Sequence, residues 1–275
     1  MADAPWQPTP ARQRRQHGPA TLLLPPGDPP RGLVLCAYAH GNNFACGKAE
    51  LLQGRPALQP PADGDVLPPL GWAVLAIDHW CFGERAGPSR SERALVKQLL
   101  WQGRSLWGYR VADTLASLDW ALARPELADL PAVCLGLSMG CTMALWAAAL
   151  ALRINACLGL CCLAEFDALL ASGRYDLHGE YFFVPGLLAE FSAAEIAALI
   201  APRLHLSLVG RDDPLTPPDG VTSIDAALRA SYAALGAPQR WQQQVFDAGH
   251  QETPAMRQAV LDALAQVLTL GHVKP

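Results

Sequence analysis

Short apolar runs alternate along the chain with longer stretches whose apolar residues recur every three or four positions. The short runs are apolar throughout or alternate with polar residues, as β-strands do, and they lie at 21–24, 32–39, 71–78, 131–135, 153–162, 203–209 and 240–246. The longer stretches are amphipathic or rich in helix formers, and they lie at 48–57, 91–102, 105–123, 141–150, 192–200, 219–236 and 251–270. This alternation, without an internal repeat, predicts an α/β fold with a doubly wound, mostly parallel central sheet and helices on both faces.

Two segments stand outside this alternation. Residues 1–19 combine Pro, Gln and Arg with few apolar residues, and we expect a flexible N-terminal leader that lacks the apolar core of a signal peptide. Residues 164–202 form a long connection between two strands, and aromatic residues are frequent in it. We expect residues 20–275 to form a single domain that contains this aromatic-rich insertion.

Composition narrows the classes of partner. Hydrophobic residues make up 51% of the chain and charged residues only 17%, which suits strands that helices cover on both faces. The net charge of −4 argues against nucleic acid or an anionic membrane surface as the main partner. Arg153 and Asn155 interrupt the longest apolar stretches, and neither stretch reaches the roughly 20 residues of a bilayer span. We therefore expect a soluble protein that acts on a small molecule, while its oligomeric state stays open.

The eight cysteines lie mostly in apolar runs, where a reduced cysteine behaves as a small hydrophobic residue. They are Cys36, Cys46, Cys81, Cys134, Cys141, Cys157, Cys161 and Cys162. No C-x-x-C pair and no Cys/His cluster has the spacing of a zinc site. We therefore predict buried free thiols in a reducing cytoplasm and no metal site.

One pentapeptide carries the strongest chemical signal. Residues 136–140 read G-L-S-M-G, after a short apolar run and before a stretch of helix formers. A strand, then G-x-S-x-G, then a helix is the context of a nucleophile elbow, in which the serine hydroxyl is exposed above the sheet. Only very small residues two positions before and after the serine let such a turn close. Ser138 is therefore the candidate nucleophile.

Two further polar loops follow predicted strands and supply an acid and a base. The order Ser138, then Asp212-Asp213, then His250 is the order of α/β-hydrolase triads. A serine hydroxyl needs a neutral imidazole to accept its proton, and a carboxylate holds that imidazole in the required tautomer. We favour Asp213 over Asp212 because the spacing G-x-x-D-x-x-x-P over 210–217 fits an acid loop, although Asp212 remains an alternative.

The loop after the second predicted strand is the candidate oxyanion loop. His40 and Gly41 end this central strand, at the edge where α/β sheets place ligand-binding groups. Glycine lets the backbone approach a substrate, so we assign one oxyanion donor to the backbone N–H of Asn42. The second donor is expected from the backbone N–H of Met139, which follows the nucleophile.

Aromatic loops after other strands are candidates for the substrate pocket. The predicted pocket residues are His40, Trp80, Phe82, Tyr181 and Phe182. We also expect an ion pair between Asp78 and Arg85 to hold the loop after the third strand in place.

Several motifs together resemble the α/β-hydrolase superfamily over roughly 20–270, and more narrowly its dienelactone-hydrolase-like and acetyl-xylan-esterase-like bacterial branch. The motifs of the narrower resemblance are Phe82-Gly83-Glu84-Arg85, Leu106-Trp107-Gly108 with Asp113 downstream, Tyr181-Phe182-Phe183-Val184-Pro185-Gly186-Leu187, and Ala201-Pro202-Arg203. Dienelactone hydrolases use a cysteine nucleophile where this chain has Ser138, and Cys141 replaces a glycine that is frequent in the branch.

The residues and the resemblance imply a serine carboxylic ester hydrolase that works through an acyl-enzyme and needs neither a metal nor an organic cofactor. Thioester or amide hydrolysis by the same triad is an alternative within enzymes. A non-catalytic relative that only binds a ligand is the alternative outside them. The acyl and alcohol parts of the substrate cannot be read from the sequence.

Overall fold

Eight strands form one sheet in the computed structural model, which describes residues 14–17, 20–38, 41–87 and 91–270. The strands are β1 Arg14–His17, β2 Ala20–Leu23, β3 Gly32–Ala37, β4 Trp72–Ile77, β5 Ala132–Leu137, β6 Ile154–Leu160, β7 Leu204–Gly210 and β8 Trp241–Phe246. Their order is β1-β2-β4-β3-β5-β6-β7-β8. The first two strands pair antiparallel, and β3 to β8 are all parallel. The prediction of a mostly parallel sheet is confirmed.

Helices occupy the connections between the strands. The α-helices are α1 Glu50–Gln53, α2 Asp63–Val66, α3 Glu92–Trp101, α4 Leu106–Leu122, α5 Met139–Leu150, α6 Phe166–Ser172, α7 Leu187–Glu190, α8 Ala193–Ala198, α9 Pro218–Ala234 and α10 Pro254–Leu270. Short 3₁₀ turns lie at Gly47–Ala49, Pro68–Leu70, Gly83–Arg85, Arg174–Leu177, Glu180–Phe182 and Pro238–Arg240.

Each face of the sheet has its own hydrophobic core. Successive residues of β3 point to opposite faces, so Leu33 and Leu35 join one cluster while Val34 and Cys36 join the other. The first cluster packs the sheet against α3, α4, α5, α8 and α9, and the second packs it against α1 and α10. Helices therefore cover both faces, as the sequence predicted.

Serine residues cap the N-termini of three of these helices. The hydroxyls of Ser91 and Ser105 accept hydrogen bonds from the backbone N–H groups of Ala94 and Gly108, which satisfies donors that lack a partner within the helix. Ser192 begins α8 with a capping box, in which the Glu195 carboxylate accepts from the Ser192 backbone in return.

The structure corrects two boundaries. Arg14–His17 lies within the predicted flexible leader but forms strand β1, which pairs with β2. The helix predicted over 48–57 is shorter, because α1 ends at Gln53 and is followed by Gly54 with a φ of +62°. Glycine reaches this backbone conformation without a steric penalty and commonly ends helices.

The strand order determines where the loops after β3 and β5 lie. After β3 the chain moves outward to β4 and then returns to the other side of β3 to form β5. The carboxyl ends of β3 and β5 therefore flank the point at which the strand order reverses, where open α/β sheets bind ligands. The loop that begins at Gly41 and the serine at 138 follow these two strands.

The cysteines differ from the prediction at one pair. Cys141 at the start of α5 and Cys162 after β6 form a disulfide, so the prediction of free thiols is wrong for these two. The free cysteines of the described residues are Cys36, Cys46, Cys81, Cys134, Cys157 and Cys161. The reducing cytoplasmic location that we inferred from cysteine usage stays a prediction. Within the part of the chain that the structure describes, no helix combines the length and apolar character needed to cross a bilayer.

Candidate active site

Ser138 occupies a sharp turn between β5 and α5. Its backbone has a φ of +60° and a ψ of −124°, a region that residues with a side chain rarely adopt and that marks functional turns. A methyl group placed on Gly140 would lie 1.9 Å from the carbonyl oxygen of Ala37, and one on Gly136 would lie 2.3 Å from the backbone of Gly140. The two glycines of the motif are therefore required by the close approach of β3, β5 and α5.

His250 and Asp213 contact each other at the carboxyl ends of β7 and β8. The Nδ1 atom of His250 lies 2.8 Å from Oδ2 of Asp213, and the other oxygen, Oδ1, accepts a hydrogen bond from the backbone N–H of Leu215 at 2.8 Å. The Asp213 side chain is 0% exposed and that of His250 is 24% exposed. Asp212 is exposed, so the structure brings Asp213 rather than Asp212 to the histidine.

Backbone hydrogen bonds fasten the two loops that carry this pair. The N–H groups of Arg211 and Asp212 donate to the carbonyls of Phe246 and Ala248, at 2.8 and 3.0 Å. A methyl group on Gly210 would lie 2.3 Å from the carbonyl oxygen of Gly249, so the loops pack backbone against backbone. Since Nδ1 of His250 faces a carboxylate, its Nε2 is left as the nitrogen that can accept a proton.

The two residues predicted to supply oxyanion donors, Asn42 and Met139, line the same cavity as Ser138. Met139 is the first residue of α5, so its backbone N–H has no partner within the helix and the helix dipole favours negative charge there. Gly41 and Asn42 have positive φ angles of 45° and 63°, and both line the same cavity as Ser138. His40, which we predicted to line the pocket, lies outside the described residues.

The buried carboxylate of Asp78 holds the segment at Lys48, which follows the loop at Gly41 and Asn42. Asp78, at the end of β4, accepts hydrogen bonds from the backbone N–H and the Nζ of Lys48, both at 2.6 Å, and from the backbone N–H of Glu84 at 3.1 Å. The predicted ion pair between Asp78 and Arg85 is wrong. Arg85 instead pairs with Asp113 at 2.6 Å and donates only to the backbone carbonyl of Asp78.

A cavity of about 210 Å³ opens above Ser138. Its walls are formed by Gly41, Asn42, Arg55, Ser138, Met139, Thr142, Cys161, Cys162, Leu177, His178, Gly179, Tyr181, Phe182, Leu215 and His250. Two residues of the predicted pocket, Tyr181 and Phe182, are among them. Trp80 and Phe82 do not line this cavity, so the prediction that they are pocket residues is wrong. Trp80 packs against Tyr109, and Phe82 is buried against Phe44.

Sequence reasoning missed Arg55 and His178 as cavity residues. The Nε2 of His178 lies 3.2 Å from the carbonyl oxygen of Leu215, and its ring stacks on Phe182 with centroids 5.1 Å apart. Burial lowers the pKa of His178 below its ordinary value, and the neighbouring His250 lowers it further. His178 belongs to the aromatic-rich insertion that the sequence singled out, whereas no local pattern marks Arg55.

Cys161 lies close to the Asp213–His250 pair and forms with it a cluster of metal-ligand side chains. The ligand-type atoms of Cys161, Asp213 and His250 lie within 4.8 Å of one another. Burial, followed by the negative charge of Asp213, raises the pKa of the Cys161 thiol to about 12, and a thiol binds metal as the thiolate. The carboxylate and the imidazole are already engaged with each other. This set of donors therefore suits a hydrogen-bonded pair better than a metal ion.

Comparison with known proteins identifies a curated relative of this chain. No protein-family model matches it. The curated protein "Putative hydrolase YtaP" of Bacillus subtilis is 41% identical over 243 residues, which cover 88% of this chain and 81% of that protein.

Among solved structures, a putative acetyl xylan esterase from Bacteroides fragilis is 18% identical, with a TM-score of 0.67 over 89% of this chain and 69% of the other. A glucuronoyl esterase of carbohydrate esterase family 15 from Caldicellulosiruptor kristjansonii is 19% identical, with a TM-score of 0.65 over 95% of this chain and 74% of the other. These likenesses agree with the predicted α/β-hydrolase fold. The chain belongs to the hydrolase family that includes YtaP.

Proposed function

We propose that the protein is a serine hydrolase that cleaves carboxylic esters of small molecules through an acyl-enzyme. One observation carries the proposal: His250 lies 2.8 Å from the buried carboxylate of Asp213 and lines the same cavity as Ser138. An imidazole oriented by a buried carboxylate next to a serine on a strained turn is the arrangement that activates a hydroxyl.

The proposed reaction has two halves. The Oγ of Ser138 attacks the ester carbonyl carbon while Nε2 of His250 takes the hydroxyl proton, and the resulting imidazolium returns this proton to the departing alcohol. Water then attacks the acyl-enzyme in the same way and releases the carboxylic acid and the free serine. The Asp213 carboxylate stabilises the imidazolium in both halves.

Backbone N–H groups of Asn42 and Met139 are proposed to bind the oxyanion in both tetrahedral intermediates. Loss of one such donor typically costs about 3 kcal/mol of transition-state stabilisation. The cavity of about 210 Å³ is below the usual size range of small-molecule sites, and this supports small substrates. Two structurally similar proteins are named a putative acetyl xylan esterase and a glucuronoyl esterase, and these names support an ester over an amide or a thioester.

The decisive experiment compares Ser138→Ala with wild type on short 4-nitrophenyl esters and with a fluorophosphonate probe. We expect hydrolysis to fall by at least about 10³-fold and covalent labelling to disappear. Ser223→Ala, at an exposed serine of α9, is the matched control and should retain both. Hydrolysis by Ser138→Ala at the wild-type rate would refute the proposal, and so would failure of the probe to label wild-type protein.

A further inference from the structure

The side chain of Arg55 enters the cavity that contains Ser138 and His250. It is one of the residues that line this cavity, although it follows Gly54 outside the elements that carry Ser138, Asp213 and His250. A methyl group placed on Gly41 would lie 2.9 Å from Nη1 of Arg55. The guanidinium therefore lies against the loop that holds Asn42.

The hydrogen-bonding capacity of this guanidinium is only partly used. Its Nε lies 3.0 Å from Oε2 of Glu50, and the Arg55 side chain is 14% exposed while that of Glu50 is 4% exposed. Despite this short distance, Nε makes no hydrogen bond of good geometry, and both Nε and Nη2 are buried without a hydrogen-bond partner among the described residues. A buried N–H group without a partner is costly, and native proteins usually satisfy such groups by protein, water or ligand.

The charge distribution of the cavity favours an anion. Among the described residues that line it, Arg55 is the one with a permanent charge, and no carboxylate lines it. Glu50 balances part of this charge from behind the cavity wall. Burial raises the pKa of Glu50 above its ordinary value, against the opposing effect of Arg55.

We propose that Arg55 forms an anion-binding subsite, and that the preferred substrates are esters that also carry a carboxylate close to the scissile bond. This inference rests on the proposed function of the site. A carboxylate accepts charge-assisted hydrogen bonds from a guanidinium, and these are shorter and stronger than hydrogen bonds between neutral groups. Such a contact would hold the substrate by the end that does not react and bring its ester carbonyl to Ser138.

Methyl esters of dicarboxylic acids test this subsite directly. The monomethyl esters of succinic, glutaric and adipic acid carry a free carboxylate, and the corresponding dimethyl esters are neutral molecules on the same carbon chain. With wild-type protein, we expect kcat/KM from methanol release to be about 10- to 100-fold higher for at least one monoester than for its diester, which is the range of charge-assisted hydrogen bonds.

Three variants assign the effect to Arg55. Arg55→Gln should lower kcat/KM for the favoured monoester by about 10- to 100-fold, mainly through KM, and change that of the diester by less than about threefold. Arg55→Lys should keep part of the preference because it keeps the charge. The double variant Glu50→Gln/Arg55→Gln removes both buried charges together and guards against misfolding. Arg229→Gln, at an exposed position on α9, is the control and should keep the wild-type ratio.

Binding to Ser138→Ala protein separates this inference from the proposed function. Titration calorimetry with the favoured monoester and its diester reports affinity without turnover. Tighter binding of the monoester, lost in Ser138→Ala/Arg55→Gln, supports the subsite even if no ester is hydrolysed. Equal affinity and equal kcat/KM for the two esters would overturn the inference while leaving ester hydrolysis intact. A parallel loss for monoester and diester in Arg55→Gln would also overturn it, because Arg55 would then only support the oxyanion loop.

Discussion

The two walls of the cavity are built in different ways. One wall, which we call the strand-end wall, consists of Ser138 and His250 with Asp213 buried behind His250, and each of the three lies directly after a parallel strand or a few residues beyond it. The other, the loop wall, consists of Arg55, His178, Tyr181 and Phe182, which come from two long connections. The strand-end wall is held by backbone geometry, whereas the loop wall is held by side-chain packing.

The two walls differ in how much substitution their contacts tolerate. In the strand-end wall, glycines at 136, 140 and 210 let backbones approach so closely that no side chain fits, and the proposed reacting groups are held in place. In the loop wall, Phe182 lies in a set of stacked and edge-on rings with Trp107, Phe166 and His178. Contacts of this kind tolerate exchange of one apolar residue for another better than backbone contacts do. We expect the strand-end wall to set the reaction and the loop wall to choose the substrate.

The largest effect should come from the carboxylate of the strand-end wall. Asp213→Asn keeps the shape of the side chain but removes the charge that holds Nδ1–H and stabilises the imidazolium, so we expect kcat to fall by about 10³- to 10⁴-fold. KM should change little, because Asp213 is buried behind His250. Steady-state kinetics on a 4-nitrophenyl ester measures both values.

Asp212→Asn is the matched control for this prediction. It changes the neighbouring residue, which is exposed, and should keep kcat within about twofold. The opposite ranking of the two variants would assign the acid role to Asp212 and break the description of the strand-end wall.

The strand-end wall is also the part of the site that the sequence could predict. Its residues follow apolar runs, and in a parallel sheet the carboxyl ends of all strands meet at one edge. The spacing from Gly210 to Pro217 also pointed to Asp213, because it matches that of an acid loop, and in the structure the backbone N–H of Leu215 donates to the Asp213 carboxylate. Local patterns therefore sufficed where the backbone decides the geometry.

The loop wall was predicted only in part, because its residues are chosen by tertiary packing. Tyr181 and Phe182 were recognised as aromatic loop residues, but so were Trp80 and Phe82, which pack away from the cavity. Arg55 reaches the cavity because α1 stops early and its side chain packs on the loop at Gly41, which no periodicity reveals. The disulfide between Cys141 and Cys162 has the same origin: it joins positions 21 residues apart that meet because α5 packs against β6.

We expect an effect of intermediate size from substitution of Phe182, and we expect it to change selectivity for acyl length rather than the rate of catalysis. Phe182 lines the cavity above Ser138 and also a second, apolar cavity of about 270 Å³ in the insertion, which Phe166, Tyr175 and Phe183 help to form. Phe182→Ala removes the ring shared by the two cavities. We expect the ratio of kcat/KM for octanoyl over acetyl 4-nitrophenyl ester to rise by about 10-fold or more, since each additional buried methylene contributes about 0.8 kcal/mol.

Phe183→Ala is the control, because Phe183 lines the apolar cavity but not the cavity above Ser138. It should leave this ratio within about threefold of wild type. An unchanged ratio in a folded Phe182→Ala protein would show that the two cavities stay separate, and the loop wall would then not select acyl length.

The smallest effect concerns the sheet beneath the strand-end wall, on the strand that leads to Asp213. His205 is buried in β7 against Trp241, with ring centroids 4.8 Å apart. Burial, together with the nearby charge of Arg203, lowers the pKa of His205 to about 3, whereas an unfolded histidine titrates near 6.5. Between these values the unfolded chain binds a proton that the folded protein does not, so the free energy of unfolding falls as the pH falls below about 6.5.

His205→Leu removes this titration from both states. The free energy of unfolding of wild type relative to the variant should therefore decrease by about 1 kcal/mol between pH 7 and pH 5.5, as measured by urea denaturation at each pH. Buried His79, whose pKa is also lowered to about 3, is present in both proteins and cancels in the difference. A difference independent of pH would mean that water or a proton reaches β7 in the folded state. The sheet would then be too open to hold Ser138, Asp213 and His250 rigidly. The contrast between the two walls would not hold.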